Sequence, residues 1–286
     1  MAEQFEFACS VAIFGTSGMV REHAKAFSAV PGTTIVDIHS RTRTCAQALA
    51  AELGIPAVYD SVDELHRETG ADLGGGAVPE LARNGVAKAC FRFACALLLE
   101  KLTDYTLADA QDIAAATENT GARVRVGLNC RFVSSSQAVL RDLADDPGPR
   151  VIHVRDQQSL ETARAHHDPE EFAADWMFVN SIHVIIYLTM LGRGSILEIA
   201  LTARWEPPAP SAVLATARFA SGDIDFYSGI WNGPAPRASS VTKRQRRWSL
   251  RPLEKGGVPE RWRTQAQFNR ARSPECRVQV RFPLAG

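Results

Sequence analysis

The feature that most constrains this chain is an alternation of short apolar runs with helix-patterned stretches over its first 128 residues. Phe7–Phe14 (FACSVAIF) is almost continuously apolar and stops at Gly15, as strands do when both faces of a parallel sheet are covered. Helical spacing follows over Gly18–Val30 and ends at Pro31-Gly32. The unit then repeats. Strand Thr33–His39 leads to helix Arg43–Leu53, which Gly54 closes. Strand Ala57–Tyr59 leads to helix Val62–Thr69, opened by Asp60 or Ser61. Strands are expected at Asp72–Val78, Cys95–Leu99 and Arg123–Leu128, with helices at Glu80–Phe93 and Thr106–Thr120 between them. Parallel strands need crossover connections, and helices are the usual ones. The rhythm predicts an α/β fold, a Rossmann-type doubly wound parallel sheet over 1–128.

After Asn129 the rhythm changes. Ser134–Leu143 has helical spacing, Arg150–Gln157 reads as a strand, and Trp176–Leu191 is apolar enough for a buried helix. Three strand patterns then come in succession, Ser195–Trp205, Ala212–Ala220 and Asp223–Ile230, with turn residues between them. Consecutive strands predict a mostly antiparallel sheet and a second, α+β domain over 129–286. Beyond about Trp231 the pattern fades. Residues 237–286 hold 13 Lys/Arg against 3 Asp/Glu, and loops or an extended arm are expected there. The whole chain balances 32 basic against 32 acidic residues, so no general nucleic-acid footprint exists. With few aromatics among its charges, the basic stretch reads as a solvated segment.

The start is acidic where a secretory signal would be basic, and no apolar run approaches a membrane span. The six cysteines form no Cys-x-x-Cys pair. They read as small buried hydrophobes in a reducing cytoplasm. The expectation is a cytoplasmic protein that binds neither membrane nor nucleic acid and holds no metal.

Gly15-Thr16-Ser17-Gly18-Met19 falls between the first strand and the first helix, where a dinucleotide pyrophosphate meets free N–H groups at a helix N-terminus. Of the three glycines of that fingerprint only Gly15 is present. Ser17 and Val20 stand at the other two positions, and Gly18 offers freedom one residue late. At the end of the second strand, Ser40 replaces the acidic residue that would bind ribose hydroxyls, while Arg41 and Arg43 suit a 2′-phosphate. That pattern favours NADP, with NAD as the second option. Gly74-Gly75-Gly76 stands in the fourth strand, where β-branched residues are expected.

These residues, taken with Arg21-Glu22-His23-Ala24, Val78-Pro79-Glu80-Leu81, Leu98-Leu99-Glu100-Lys101, Asn129-Cys130-Arg131-Phe132 and Asn180-Ser181-Ile182-His183, occur in the order of a known family. Over roughly 7–235 the chain resembles the Gfo/Idh/MocA oxidoreductases, the glucose-fructose oxidoreductase and inositol dehydrogenase-like enzymes. The resemblance implies a Rossmann domain followed by an α/β domain whose open antiparallel sheet joins subunits into a homo-oligomer. It implies hydride transfer between a nicotinamide and a carbinol or ketone carbon of a sugar-like or polyol substrate. It places Val78, Pro79, Glu100 and Arg131 at the cofactor and maps the Glu-Lys-Pro motif to Glu100-Lys101-Leu102. Lys101 then contacts the reacting hydroxyl and the nicotinamide ribose, and His183 exchanges the hydroxyl proton.

The chemistry of those two residue types agrees. Oxidising a carbinol needs a base near neutral pH and a cation for the developing alkoxide. Asn180, one turn before His183, suits substrate binding or the orientation of the imidazole. Tyr187, one turn after, is a substrate candidate on the same face, although packing fits it better. The sequence departs from the family at Leu102, Val179, Ile186 and Ala82, where proline, two acidic residues and a histidine are usual. Those departures support the alternative of a catalytically impaired relative that binds a nucleotide or serves as a scaffold.

Overall fold

The computed structural model describes residues 8–78, 80–101, 106–145, 147–159, 180–204, 212–231, 237–243, 246–258 and 266–268. The chain divides into two compact units, with the break between Gly127 and Leu128.

The first unit is a six-stranded parallel sheet in the order β3-β2-β1-β4-β5-β6. Its strands are β1 (Cys9–Phe14), β2 (Thr33–His39), β3 (Ala57–Tyr59), β4 (Leu73–Gly76), β5 (Ala96–Leu99) and β6 (Arg123–Val126). Helices α1 (Gly18–Ser28), α2 (Arg43–Leu53), α3 (Val62–Thr69), α4 (Glu80–Cys90) and α5 (Leu107–Thr120) connect them. This is the doubly wound order, with its switch point between β1 and β4. Local chemistry sets the helix ends. Ser61, not Asp60, caps α3 by accepting from the Glu64 N–H at 3.1 Å, and Glu64 returns a bond from the Asp60 N–H at 3.2 Å.

Two of the three glycines of β4 have a side-chain packing reason, and at Gly76, φ +154°, a Cβ would strike the main chain of Phe14. A Cβ at Gly75 would lie 2.8 Å from the ring of Phe27 on α1, and one at Gly74 would lie 2.7 Å from both Phe14 and Leu97. The bulk usually carried by this strand is supplied by two phenyl rings from β1 and α1. Val20 also fits, fully buried among Val11, Ile13, Ile38 and Leu49, so it completes the core.

In the second unit a 3-10 turn (Asn129–Phe132) leads to α6 (Ser134–Ala144), β7 (Val151–Gln158) and α7 (Ile182–Leu191). Strands β8 (Ile196–Ala203), β9 (Ala212–Phe219), β10 (Ile224–Trp231), β11 (Ala238–Lys243), β12 (Arg246–Leu250), β13 (Gly256–Val258) and β14 (Ala266–Phe268) follow. Together with β7 they form one eight-stranded sheet ordered β14-β13-β12-β11-β7-β10-β9-β8. Only β7 and β10 pair in parallel, so the sheet is mixed but mostly antiparallel. Val184, Tyr187 and Leu191 of α7 pack with Val139 and Leu143 of α6 over Ile152, Val154, Val241 and Leu250 on one face.

Two expectations are corrected here. The basic stretch after 237 contributes β11 to β14 rather than an irregular arm over its described part. Its charges alternate with Val241, Trp248 and Leu250, which are buried, while Lys243 and Arg246 reach Asp142 on α6. Only 237–243, 246–258 and 266–268 of that stretch are described. Nor are all cysteines buried: Cys90 and Cys95 are, but Cys45 on α2 is exposed, and Cys276 lies outside the described residues. Among the described residues no helix is long and apolar enough to cross a membrane, and no group of three or more His, Cys, Asp or Glu side chains could hold a metal ion.

Candidate dinucleotide and substrate sites

The first-unit site lies at the carboxyl ends of β1 and β4. Gly15 has φ +95°, and a Cβ there would come 2.5 Å from the Ala77 carbonyl oxygen, so glycine is required by conformation and by space. The Gly15 N–H donates to the His39 carbonyl at 2.8 Å, which ties the turn to the end of β2. The Ser17 hydroxyl donates to the Ala77 carbonyl at 3.2 Å. It therefore does not cap α1, although Ser17 occupies the cap position. Ser17, Gly18 and Met19 are exposed, and a Cβ at Gly18 would meet nothing within 4 Å. The first N–H groups of α1 thus open onto solvent beside the sheet's switch point, which is the electrostatic arrangement an anion needs. Ser17 at the second fingerprint position leaves that arrangement intact because its side chain turns back onto the protein.

Ser40 and Arg41 follow β2 directly, and Arg41 is exposed with no ion pair among the described residues. Arg43 is instead paired with Asp60, so of the two arginines only Arg41 faces solvent without a carboxylate. Val78 follows Ala77, and its carbonyl accepts from the Arg83 guanidinium at 3.0 Å. Pro79 and Leu102 lie outside the described residues.

Glu100 and Lys101 end β5. Glu100 accepts at Oε1 from His23 Nε2 on α1 at 2.7 Å and at Oε2 from the Lys101 backbone N–H at 3.2 Å. Burial pushes the Glu100 carboxyl up, but the His23 bond and charge, the Lys101 N–H and the Lys101 ammonium together hold it below its ordinary value. Glu100 is thus a fixed anion that joins α1 to the lysine-bearing end of β5. No local sequence pattern marks His23 for this role.

The second-unit site is built on the N-terminal end of α7 and the last inward-facing residues of β7. Along β7 the inward positions run Ile152, Val154, Asp156, Gln158, turning from apolar to polar as the strand ends. Asp156 is fully buried and accepts from the Tyr227 hydroxyl at 3.0 Å and from Gln158 Nε2 at 2.6 Å. Gln158 Oε1 accepts from Asn180 Nδ2 at 3.0 Å and from Arg237 Nη2 at 3.1 Å. Arg237 Nε stands 3.5 Å from Asp156 Oδ1. Burial, then the charge of Asp156 and the bond to it, hold the Tyr227 phenol well above its ordinary value, so it stays a donor. Asp156, Gln158 and Arg237 were missed in the sequence. The only signal was two polar residues continuing the inward register of an apolar strand.

His183 lies three residues after Asn180 on α7, half-buried. Ile186, one turn later, packs against the core, so no carboxylate stands at that position. Tyr187 is corrected from a substrate candidate to a core residue. It is fully buried, with its hydroxyl 2.6 Å from Ser136 Oγ and donating to the Cys130 carbonyl at 3.2 Å. Arg131 is exposed on the 3-10 turn, and its carbonyl accepts from Gln137 Nε2 at 2.7 Å.

A βα sheet in this order, with an open helix N-terminus at its switch point, defines the dinucleotide-binding class of fold. Residues 9–128 match the family model for the Gfo/Idh/MocA oxidoreductases, described as an oxidoreductase family with an NAD-binding Rossmann fold. Over these residues the chain is similar to the NAD-binding domain of that oxidoreductase family. Among solved structures, the chain is similar to UDP-N-acetylglucosamine 3-dehydrogenase from Acidithiobacillus ferrooxidans, with 16% identity, a TM-score of 0.74, and 96% of this chain and 87% of that one covered. A dehydrogenase from Chromobacterium violaceum gives 15% identity and a TM-score of 0.79 over 95% and 84%. An oxidoreductase from Thermotoga maritima gives 18% and 0.71 over 92% and 83%. At these identities the likeness is one of fold. No curated protein matches the chain in sequence.

Proposed function

We propose that this protein is an NADP(H)-preferring oxidoreductase that moves hydride between the nicotinamide and a carbinol or ketone carbon of a sugar-like or polyol substrate. The observation that carries the reading is the open N-terminus of α1 at the β1/β4 switch point, fixed by a Gly15 that no other residue can replace. Thr16, Ser17, Gly18 and Met19 would hold the pyrophosphate, and Ser40 and Arg41 the adenosine ribose and its 2′-phosphate. When bound, the nicotinamide supplies or accepts the hydride. Lys101 contributes an ammonium for the alkoxide charge, at a strand end whose main-chain N–H donates to Glu100. His183 exchanges the hydroxyl proton, and Asn180 binds the substrate beside it. The dehydrogenase names of the structural neighbours support this reaction class.

The test is absorbance-monitored NADP+ reduction with a panel of polyols and sugars, repeated on Lys101→Ala and His183→Ala. Turnover by the wild type and at least a hundredfold loss in each variant, with circular dichroism unchanged, are expected. Full activity in either variant removes that residue from the mechanism. Cofactor binding without turnover on any substrate would favour the catalytically impaired relative, the reading that Ile186 supports.

The face of the second sheet that no helix covers among the described residues is proposed as the contact between copies of this chain. On the face opposite the one that carries α6 and α7, Ile224, Phe226 and Ile230 of β10 are 38%, 41% and 40% exposed. Such an apolar expanse suits burial between subunits. Light scattering should give a multiple of 31.2 kDa, and Phe226→Glu with Ile230→Glu should lower it. A wild-type monomer would end that proposal.

A further inference from the structure

The cluster below the start of α7 has a polarity that can be read outward from its buried end. The carboxylate of Asp156 can only accept, so Gln158 must turn its amino group toward it, as the 2.6 Å bond shows. The Gln158 carbonyl then faces the other way and can also only accept. It takes one bond from Asn180 Nδ2 and one from Arg237 Nη2. Asn180 is therefore held with its carbonyl oxygen away from Gln158, and Arg237 with its Nη1 edge away from Gln158 and Asp156. The two nitrogens that share one oxygen are at most about 6 Å apart. One partly buried residue thus presents an acceptor beside another that presents donors, and neither can reverse its role.

Charge narrows the ligand further. Arg237 stands beside Asp156, so the guanidinium is balanced within the protein. An anionic ligand would gain from Arg237 and lose to Asp156, whereas an uncharged ligand forms the same hydrogen bonds without that opposition.

We infer that Asn180 and Arg237 are a specificity-determining pair that reads two neighbouring hydroxyls of an uncharged substrate, one donating to Asn180 and one accepting from Arg237, with Asp156 and Gln158 as positioning residues. This rests on the polyol reading above and deepens it: the second unit selects neutral sugars or cyclitols over sugar acids.

Calorimetric titration, with and without saturating NADP+, tests it using D-glucose and myo-inositol as neutral probes and D-glucuronate as the acidic one. The wild type should bind a neutral probe at least tenfold more tightly than glucuronate. Arg237→Ala and Asn180→Ala should weaken that binding at least tenfold, while Arg237→Lys, which keeps charge but not the fork, should recover only part of it. Asp156→Asn, which leaves the guanidinium unbalanced, should shift the preference toward glucuronate, and circular dichroism reports whether this buried variant folds. NADPH affinity should be unchanged in Arg237→Ala. Tighter wild-type binding of glucuronate, unchanged binding in Arg237→Ala, or no binding of any probe would overturn the inference. Probe binding by a wild type that takes up no NADPH would instead overturn the oxidoreductase reading and leave this one standing.

Discussion

The groups that shape the Gly15 turn are main-chain ones: the Ala77 and His39 carbonyls, the Gly15 N–H and the free N–H groups of α1. The cluster around Gln158 is made of side chains from β7, β10, the start of α7 and the residue before β11. The first kind of site survives replacement of its side chains. Ser17 turns its hydroxyl onto Ala77, Val20 fills core space, and the anion-binding end of the helix stays open. The second kind is a chain of assigned donors and acceptors, so each member constrains the next. A backbone site can therefore persist while signature residues change, whereas a side-chain site depends on each of its residues.

The largest effect should come from breaking the backbone site. Gly15→Ala drives a methyl group into the Ala77 carbonyl at a φ that favours glycine. It should lower stability by about 1–3 kcal/mol in thermal melts and abolish NADPH binding. Wild-type cofactor affinity in this variant would mean the turn is not the site.

Buried carboxylates sharpen the contrast between the units. Asp37 on β2 is buried, which raises its carboxyl to about 6 although Thr69 donates to it at 2.6 Å. Asp225 on β10 is equally buried, and burial raises its carboxyl to about 8 against the lowering pull of the Phe226 N–H. A raised folded-state pKa makes the contribution to stability complete below the ordinary Asp value and lost as pH climbs through about 8. Asp225→Asn should therefore flatten the fall in melting temperature between weakly acid and weakly alkaline pH, gaining on the order of a few kcal/mol above pH 8. An unchanged pH profile would show that Asp225 does not titrate in that range.

A smaller effect tests the glycine strand. Gly75→Ala should cost about 1–3 kcal/mol by overpacking against Phe27, and adding Phe27→Leu should return part of it. Simple additivity of the two losses in a double-mutant cycle would remove the compensation argument. The smallest effect concerns Arg41→Ala, which should weaken NADPH by about tenfold and leave NADH nearly unchanged, by fluorescence titration. Equal losses would mean that Arg41 does not read the 2′-phosphate.

Most of the first unit was legible because its apolar runs and turn glycines carry period and punctuation: Phe14, Gly54 and Gly121 fall where strand and helix ends lie. The β4 glycines were not, because their reason is three-dimensional: phenyl rings occupy the space a Cβ would take at Gly74 and Gly75, and the Phe14 main chain occupies it at Gly76. The strands after 237 were hidden by charges whose partners, such as Asp142 for Lys243 and Arg246, lie about a hundred residues earlier. Arg237, Gln158 and Asn180 share no local pattern, and only the fold of the second unit brings them onto one oxygen. Tyr187 was ambiguous because helical spacing gives the same face to a core residue and to a ligand contact.

The central claim is that the open helix end behind Gly15 binds a nicotinamide dinucleotide. Titrating the purified protein with NADPH and with NADH, following nicotinamide fluorescence, tests it most directly. Saturable binding of both is expected, tighter for NADPH, and none in Gly15→Ala. No saturable signal with either cofactor in the folded wild type would contradict it.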